Sequence, residues 1–202
     1  MKKLNILLAV LLVAVLGFGA FAAAAHTVPA AEIIVVTPPP QSEPIVPEWA
    51  KPAEAPEVDF GENIALKAQM TTTGFVQSYK ADLSNDGSLI TYWEAKEFPG
   101  ELTAQLDDEY SIGHVVVRLN PAAIWAARTQ NIEVQRSADG ELYTQLLPAA
   151  DYGFDPSNAN TVVITVPAWG DALPTARFIR LIFHSNTGAT GGQAAELELY
   201  TQ

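Results

Sequence analysis

Cysteine is absent from the 202 residues of this chain. Disulfide bonds therefore cannot stabilise the fold, and a zinc site built from thiolates is excluded. The stability of a folded domain must come from its hydrophobic core or from a bound metal ion.

Basic residues are scarce. The chain has 11 Lys and Arg against 23 Asp and Glu, which gives a formal net charge of −12. Such a surface repels the phosphates of nucleic acids and the headgroups of anionic lipids. We therefore expect no nucleic acid partner and no direct binding to anionic lipid.

The sequence motifs of common enzyme classes are missing. The three histidines, at positions 26, 114 and 184, do not have the spacing of a zinc site. No Gly-x-Ser-x-Gly sequence marks a serine hydrolase. The abundant carboxylates would allow a glycosidase pair to be nominated in any such chain, so they indicate nothing. We expect a protein without catalytic activity.

Residues 1–25 have the plan of a secretory signal peptide. Lys2 and Lys3 precede an apolar run from position 4 to position 25, which ends in an Ala-x-Ala arrangement at Ala23 and Ala25. This pattern predicts a secreted or extracytoplasmic protein. The alternative is an uncleaved membrane anchor, because the run approaches the ~20 apolar residues that span a bilayer.

Residues 26–57 differ in composition from the rest of the chain. Eight of the fourteen prolines fall here, interspersed with glutamates. Proline fixes φ and removes a backbone donor, so neither helices nor sheets propagate through such a stretch. The composition predicts a disordered, semi-rigid linker that holds a domain away from the cell.

Residues 58–202 form a single predicted domain with the periodicity of β-sheet. Asn, Asp, Gly and Pro separate the apolar segments, and Ser137-Ala138-Asp139-Gly140 indicates a hairpin. No amphipathic helical stretch of a dozen residues is present, so the pattern predicts an all-β, antiparallel sandwich or jelly roll. The short apolar runs or alternations lie at 63–66, 102–106, 112–119, 132–135, 142–147, 161–166, 178–183 and 197–200.

The segment 81–95 combines a polar loop with an aromatic anchor. Turn-forming residues fill 82–88, and Asp86, Ser88 and Thr91 can offer oxygen to a hard cation such as calcium. The alternative is a simple turn that precedes a core tryptophan, and we expect Trp93 to lie in the core.

Several segments in order resemble the discoidin domain, also called the coagulation-factor type C domain. The resemblance covers residues 63–200, and no single segment is specific. The segments are Asn63-Ile64-Ala65-Leu66, Asn85-Asp86-Gly87 followed by Trp93, Tyr110-Ser111-Ile112 before Val115-Val116-Val117, Ile132-Glu133-Val134-Gln135, Ala176-Arg177-Phe178-Ile179-Arg180-Leu181 and Ala195-Glu196-Leu197-Glu198-Leu199-Tyr200. Tyr92-Trp93-Glu94, the stretch 125–130 and the stretch 185–193 look closest to bacterial carbohydrate-binding modules of this fold.

The resemblance implies an eight-stranded antiparallel jelly-roll β-sandwich, related to galactose-binding domains, with a structural calcium ion. Carried over by position, the calcium ligands are Asp86, Thr91 and Glu196, with further oxygens near Leu83 and Ser88. Because Glu196 is distant in sequence from Asp86, a cation bound by both would connect the first and last segments of the domain. Gln105, Asp107-Asp108 and 67–69 depart from the family pattern without touching the proposed metal.

Sugar binding requires an aromatic face and planar polar groups. Trp125 and Arg128 lie three residues apart in a predicted connection between strands and are the leading candidates; Glu94, Asn186 and Tyr79 follow. The alternatives are that Trp125 plugs the core beneath its loop and that Arg128 forms a surface salt bridge.

We therefore expect an exported, non-catalytic module that binds carbohydrate, either a polysaccharide or a glycoconjugate, at or outside the cell surface. The alternative function is protein–protein adhesion through the same loops, with no sugar ligand.

Overall fold

The computed structural model describes Glu54 and residues 59–202. The predicted signal segment 1–25 lies outside the described residues, and so does all of the linker 26–57 except Glu54; both remain predictions. Within the described part of the chain, no helix has the length and apolar character needed to cross a membrane.

Antiparallel β-strands account for most of the regular structure in the described domain. Eight strands have four or more residues, and two short ones have two. The strands are β1 (Gln69–Thr72), β2 (Trp93–Glu94), β3 (Gly100–Ser111), β4 (His114–Arg118), β5 (Arg128–Ser137), β6 (Thr144–Phe154), β7 (Thr161–Thr165), β8 (Thr175–Asn186), β9 (Gln193–Ala194) and β10 (Glu196–Tyr200). The only helices among these residues are short 3₁₀ turns at Ile64–Lys67, Ala81–Ser84, Ala123–Trp125 and Pro156–Asn158.

The strands form a five-stranded sheet in the order β1-β3-β8-β5-β6 and a three-stranded sheet in the order β10-β4-β7. Apolar residues alternate with polar ones along β3, β5 and β8, so the five-stranded sheet buries one face. In β4, the central strand of the smaller sheet, Val115, Val116 and Val117 are all buried. One continuous core results, which includes Trp93 against Phe183 with ring centroids 5.2 Å apart. Trp93 is fully buried, as predicted. The predicted all-β sandwich is confirmed.

The prediction of a first strand at 63–66 is wrong. Asn63 caps a 3₁₀ helix there by accepting a hydrogen bond from the Ala65 N–H, and the first strand begins only at Gln69. The same Asn63 oxygen accepts from the Leu199 N–H, which ties this turn to β10. Asparagine at a cap competes with strand pairing, so the apolar run after it does not extend.

The predicted hairpin at 137–140 is confirmed. It joins β5 to β6, and Asp139 accepts hydrogen bonds from the Glu141 and Leu142 N–H groups. Gly140 has φ +80°, a left-handed conformation that glycine adopts without steric cost.

A third sheet, of only two strands, positions the loops at one end of the domain. β2 pairs with β9, so that Trp93 lies opposite Ala194 and Glu94 opposite Gln193. Gly191 allows this close approach, because a Cβ there would lie 1.9 Å from the Ala95 carbonyl oxygen. The pairing brings segments about one hundred residues apart in sequence to the same surface.

Candidate functional site

Three aromatic side chains meet in the loops beside β2. The rings of Tyr79 and Tyr92 stack with centroids 4.3 Å apart and planes 20° apart. The indole of Trp125 meets the Tyr92 ring edge-on, with centroids 4.7 Å apart. Offset stacking and edge-to-face contacts are the preferred geometries of aromatic pairs, so each ring fixes the next.

Arg128 lies over the exposed side of this cluster. Its guanidinium carbon is 4.9 Å from the centroid of the Trp125 ring, within the range of a cation–π contact. Its Nη1 donates to the Gln193 side-chain oxygen at 2.7 Å, and its Nε donates to the Ala126 carbonyl at 3.4 Å. Arg128 is the first residue of β5 rather than part of an irregular connection as predicted, so the sheet holds its backbone.

Gln193 is the centre of the polar network beneath the recess. Its side-chain oxygen accepts from Arg128 and from the Asn186 amide at 3.3 Å, while its nitrogen donates to Glu94 at 3.0 Å. Its main chain bonds on both sides to the Gln130 amide group. Gln193 therefore links the guanidinium to a carboxylate without direct contact between the two charges.

Burial, together with neighbouring charges, shifts the pKa values of two residues at the recess, Arg128 and Tyr92. Burial lowers the pKa of Arg128, while Glu94 and Tyr92 oppose that effect. Burial, followed by the hydrogen bond and charge of Tyr79, raises the pKa of Tyr92. At neutral pH, Arg128 is thus a cationic donor beside a neutral phenol.

Together these side chains line a shallow recess of about 290 Å³, with Tyr92, Ile124, Trp125, Arg128 and Gln193 around it. The Ile124 side chain at its rim is 90% exposed. Aromatic edges and apolar side chains beside a forked donor can hold the C–H face of a ring while hydrogen-bonding its hydroxyls.

The structure brings all five predicted ligand residues into one cluster, but in different roles. Trp125 and Arg128 line the recess directly. Tyr79 lies behind Tyr92, and Glu94 and the largely buried Asn186 act through Gln193. Trp125 also packs against the core, so the alternative of a core-plugging tryptophan is partly right.

Three recess residues were not among the predicted ligand residues: Tyr92, Ile124 and Gln193. Tyr92 could have been found, because neighbours in a strand point to opposite faces and Trp93 was expected in the core. Gln193 follows two glycines, which indicate only a turn. Its role depends on its pairing opposite Glu94, and no local pattern encodes that contact.

The predicted metal ligands also converge, on the loop that precedes Tyr92. The Glu196 carboxylate accepts the N–H groups of Gly87 at 3.0 Å and Ser88 at 3.2 Å. Thr91 donates to the Asp86 carboxylate, 2.8 Å and 2.9 Å from its two oxygens. Leu83 lies in the 3₁₀ helix just before this loop.

The chemistry of this loop fits a bound cation. Glu196 is 4% exposed, and burial raises its pKa to about 7, with the charge of Asp86 adding to the increase. Within the described residues neither carboxylate has a salt-bridge partner. The described residues include no group of three or more His, Cys, Asp or Glu side chains that could hold a metal ion by themselves. A cation would therefore take its remaining ligands from hydroxyl, main-chain and water oxygens.

Comparison with known proteins agrees with this architecture. Residues 83–172 match the family model described as NedA-like, galactose-binding domain, of the coagulation-factor 5/8 type C group. No curated protein sequence matches the chain.

Solved structures with the same fold include several carbohydrate-binding modules. One is a family 32 module of Clostridium perfringens in complex with GalNAc-β-1,3-galactose; it is 18% identical, with a TM-score of 0.56, over 69% of this chain and 99% of that one. Another is the family 32 module of C. perfringens NanJ with galactose, 16% identical, with a TM-score of 0.54, over 68% and 96%. A pectin-binding module is 19% identical, with a TM-score of 0.54, over 66% and 91%.

At these identities, the structural matches establish the fold. The predicted resemblance is confirmed: the described domain has the discoidin-like, galactose-binding-domain-like β-sandwich fold, and residues 83–172 match the family model of that group.

Proposed function

We propose that this protein is a non-catalytic module that binds carbohydrate in the recess between Trp125 and Arg128. The observation that carries the proposal is the arrangement of an indole ring, a phenol ring and a guanidinium around one shallow, solvent-open recess. The solved modules that share the fold bind galactose, GalNAc-β-1,3-galactose and pectin, which supports a sugar ligand.

The geometry favours weak binding to a repeating polymer. A shallow recess with two rings and one forked donor offers a Kd of about 0.1–1 mM, equivalent to ~4–5.5 kcal/mol. Several modules on one polysaccharide, or several polymer units near one module, would raise the apparent affinity through effective concentration. A polysaccharide or glycoconjugate outside the cell is the partner that suits such a site.

The test is retention on a panel of insoluble polysaccharides, with soluble sugars as competitors. Trp125→Ala and Arg128→Ala should each remove most of the retention. Trp169→Ala is the matched control, because Trp169 is half exposed and also carries an arginine, Arg136, over its ring, but it lies outside the recess. The control should bind as the unchanged protein does.

Thermal unfolding separates binding from stability. Trp125 contacts the core, so Trp125→Phe is added to keep a ring in place if the alanine variant unfolds. Retention that survives Arg128→Ala unchanged, and also survives Trp125→Ala in a folded variant, with no sugar competing, would contradict the proposal. In that outcome, the exposed Ile124 and its neighbours would favour the alternative of protein–protein adhesion.

We also propose that a structural calcium ion binds at the Asp86 loop, between Asp86, Thr91 and Glu196. The support is the buried Glu196 carboxylate, which has no salt-bridge partner among the described residues and lies beside a second carboxylate and a hydroxyl. When bound, the ion supplies positive charge that offsets the repulsion between Asp86 and Glu196, and it should raise the melting temperature by mass action. We propose Ser88 and Leu83 as sources of further oxygen ligands, because the Ser88 N–H lies 3.2 Å from the Glu196 carboxylate and Leu83 lies in the 3₁₀ helix that precedes the loop.

Calcium titration with chelator back-titration tests this second proposal. The melting temperature should rise with calcium in the unchanged protein and should not respond in Asp86→Ala. Asp171→Ala, which removes another exposed loop carboxylate, should keep the response. A melting curve unaffected by excess calcium and by chelator would rule the site out.

Export to the cell surface or beyond it belongs to the same proposal. It is supported by the signal-like pattern of residues 1–25 and by the extracellular polymer class that the recess suits.

A further inference from the structure

A second recess adjoins the first on the other side of Arg128. It has a volume of about 360 Å³, and it is lined by Arg128, Thr129, Gly153, Asp155 and Thr187, among others. Each recess alone lies near the lower end of the ~300–1,000 Å³ range typical of small-molecule sites. Arg128 is the side chain common to both, so a ligand longer than one ring could contact the two together.

The second recess is lined by the polar side chains of Thr129, Asp155 and Thr187, whereas two aromatic rings line the first. Phe154 also contributes to the second recess, but it is buried, at 1% exposure. Thr187 and Thr129 form its wall: the Thr187 N–H donates to the Thr129 carbonyl, and the Thr129 N–H donates to the Thr187 hydroxyl, both at 2.9 Å. Since the Thr187 hydroxyl oxygen accepts this bond, its O–H remains available as a donor to a ligand.

Asp155 supplies the acceptor on the opposite side. Its carboxylate accepts the Ser157 N–H at 2.8 Å, which fixes its orientation. Hydrogen bonds from Ser157 lower the pKa of Asp155, so it stays anionic at neutral pH. An anionic acceptor within a domain of net negative charge accepts sugar hydroxyls and repels a uronate.

Arg128 is held so that it can serve both recesses. Its Nη1 and Nε are engaged by Gln193 and Ala126, whereas its Nη2 has no hydrogen bond to any described residue. Gly188 lies directly against the Arg128 side chain. A Cβ at position 188 would lie 2.9 Å from the Arg128 Nε, so only glycine fits there without a shift. The guanidinium is therefore positioned by its neighbours and retains donor capacity for a ligand.

We infer that the recess between Arg128, Asp155 and Thr187 is a second subsite, which binds the neighbouring uncharged sugar unit of an oligosaccharide whose first unit lies on Trp125. This inference rests on the proposed carbohydrate-binding function. It names the ligand class more closely: a neutral glycan of at least two units, recognised across Arg128.

Gly153 allows this subsite to be blocked without touching the first one. A Cβ at position 153 would meet no atom within 4 Å, and its φ is not left-handed, so Gly153→Leu adds bulk in open space. Ala149→Leu, at another exposed position of β6, is the matched control. Asp155→Asn removes the charge and keeps an oxygen that can cap the following turn.

The experiment measures affinities by calorimetry or NMR titration for neutral saccharides of one to four units. The probes are galactose with β-1,4-galacto-oligosaccharides, and glucose with malto-oligosaccharides. In the series that binds, the disaccharide should bind about tenfold more tightly than the monosaccharide, and longer chains should add little. Gly153→Leu should reduce disaccharide affinity to the monosaccharide level and leave monosaccharide affinity unchanged; Asp155→Asn should lose part of the same gain.

The possible outcomes distinguish failure of the second subsite from failure of the carbohydrate-binding function. Equal affinity for one and two units, or a disaccharide gain that survives Gly153→Leu, overturns the second subsite while the carbohydrate-binding function stands. A loss of monosaccharide affinity in Gly153→Leu, but not in Ala149→Leu, also overturns it, because the two recesses would then be one site. If no saccharide of any length binds, the carbohydrate function and the second subsite fail together.

Discussion

Replacing Gln193 by alanine should destabilise the domain as well as its recess. The substitution removes the acceptor of Arg128 Nη1 at 2.7 Å and the donor to Glu94 at 3.0 Å, along with a longer bond from Asn186. A lost hydrogen bond to a charged group costs ~1.5–3 kcal/mol, but water can reach the charged partners through the open recess. We expect a net loss of about 2–3 kcal/mol in the free energy of unfolding.

Chemical and thermal unfolding measure this effect without any knowledge of the sugar. For a domain of this size, the loss corresponds to about 6–12 °C in melting temperature. Gln193→Met keeps most of the side-chain volume, so it isolates the hydrogen bonds from the packing. The control is Gln145→Ala, at an exposed position of β6, which should stay within ~0.5 kcal/mol of the unchanged protein.

A double-mutant cycle between Gln193→Ala and Glu94→Ala then tests the network itself. Because the two side chains bond directly, their effects should be non-additive by about 1 kcal/mol. Additivity within ~0.5 kcal/mol, or a Gln193→Ala variant as stable as the Gln145 control, would refute the reasoning that Gln193 holds the recess together.

Three other perturbations test contacts that stabilise the fold. Gly191→Ala should cost more than ~3 kcal/mol or prevent folding, since its Cβ would lie 1.9 Å from the Ala95 oxygen; solubility and circular dichroism report this. Hydrogen bonds lower the pKa of Asp139 below 3.8, so its contribution to stability is present at neutral pH and is lost as the pH falls through the lowered value. Urea unfolding between pH 6 and pH 2 should show a weaker acid-induced loss in Asp139→Asn. A chain that begins at residue 58 should have the same melting temperature as the full chain. A chain that begins at residue 61 lacks the Phe60 ring, which stacks 3.7 Å from the His114 ring, so its melting temperature should fall by several degrees.

The sequence predicts most of the sandwich because its strands carry their own local signals. The runs at 102–106, 132–135 and 178–183 all lie inside strands of the five-stranded sheet. The error at 63–66 arises where the cap of Asn63 overrides an apolar run too short to decide between helix and strand. The two-residue strands β2 and β9 are too short for an alternating pattern to give their bounds, which their pairing defines.

The candidate site is harder to predict than the fold, because long-range contacts make it. Trp125 and Arg128 are close in sequence, and a tryptophan and an arginine in a loop suggest a ligand. Gln193 gains its role from Glu94 across the β2–β9 pair and from Arg128 across 65 residues of chain. A carboxamide after two glycines has no distinctive chemistry until the fold supplies those partners.

The same two segments contribute both to the recess and to the proposed metal site at the Asp86 loop. The first contains Asp86, Thr91 and Tyr92, and the second contains Gln193 and Glu196; β2 and β9 pair them directly. A cation bound by Asp86 and Glu196 would therefore hold together the segments that carry Tyr92 and Gln193. Chelation should weaken sugar retention only as far as it loosens this pairing, so the loss of retention should follow the loss of stability across variants. In this proposal the Asp86 loop supports the recess through the backbone, and Trp125 and Arg128 would make the contacts that select the ligand.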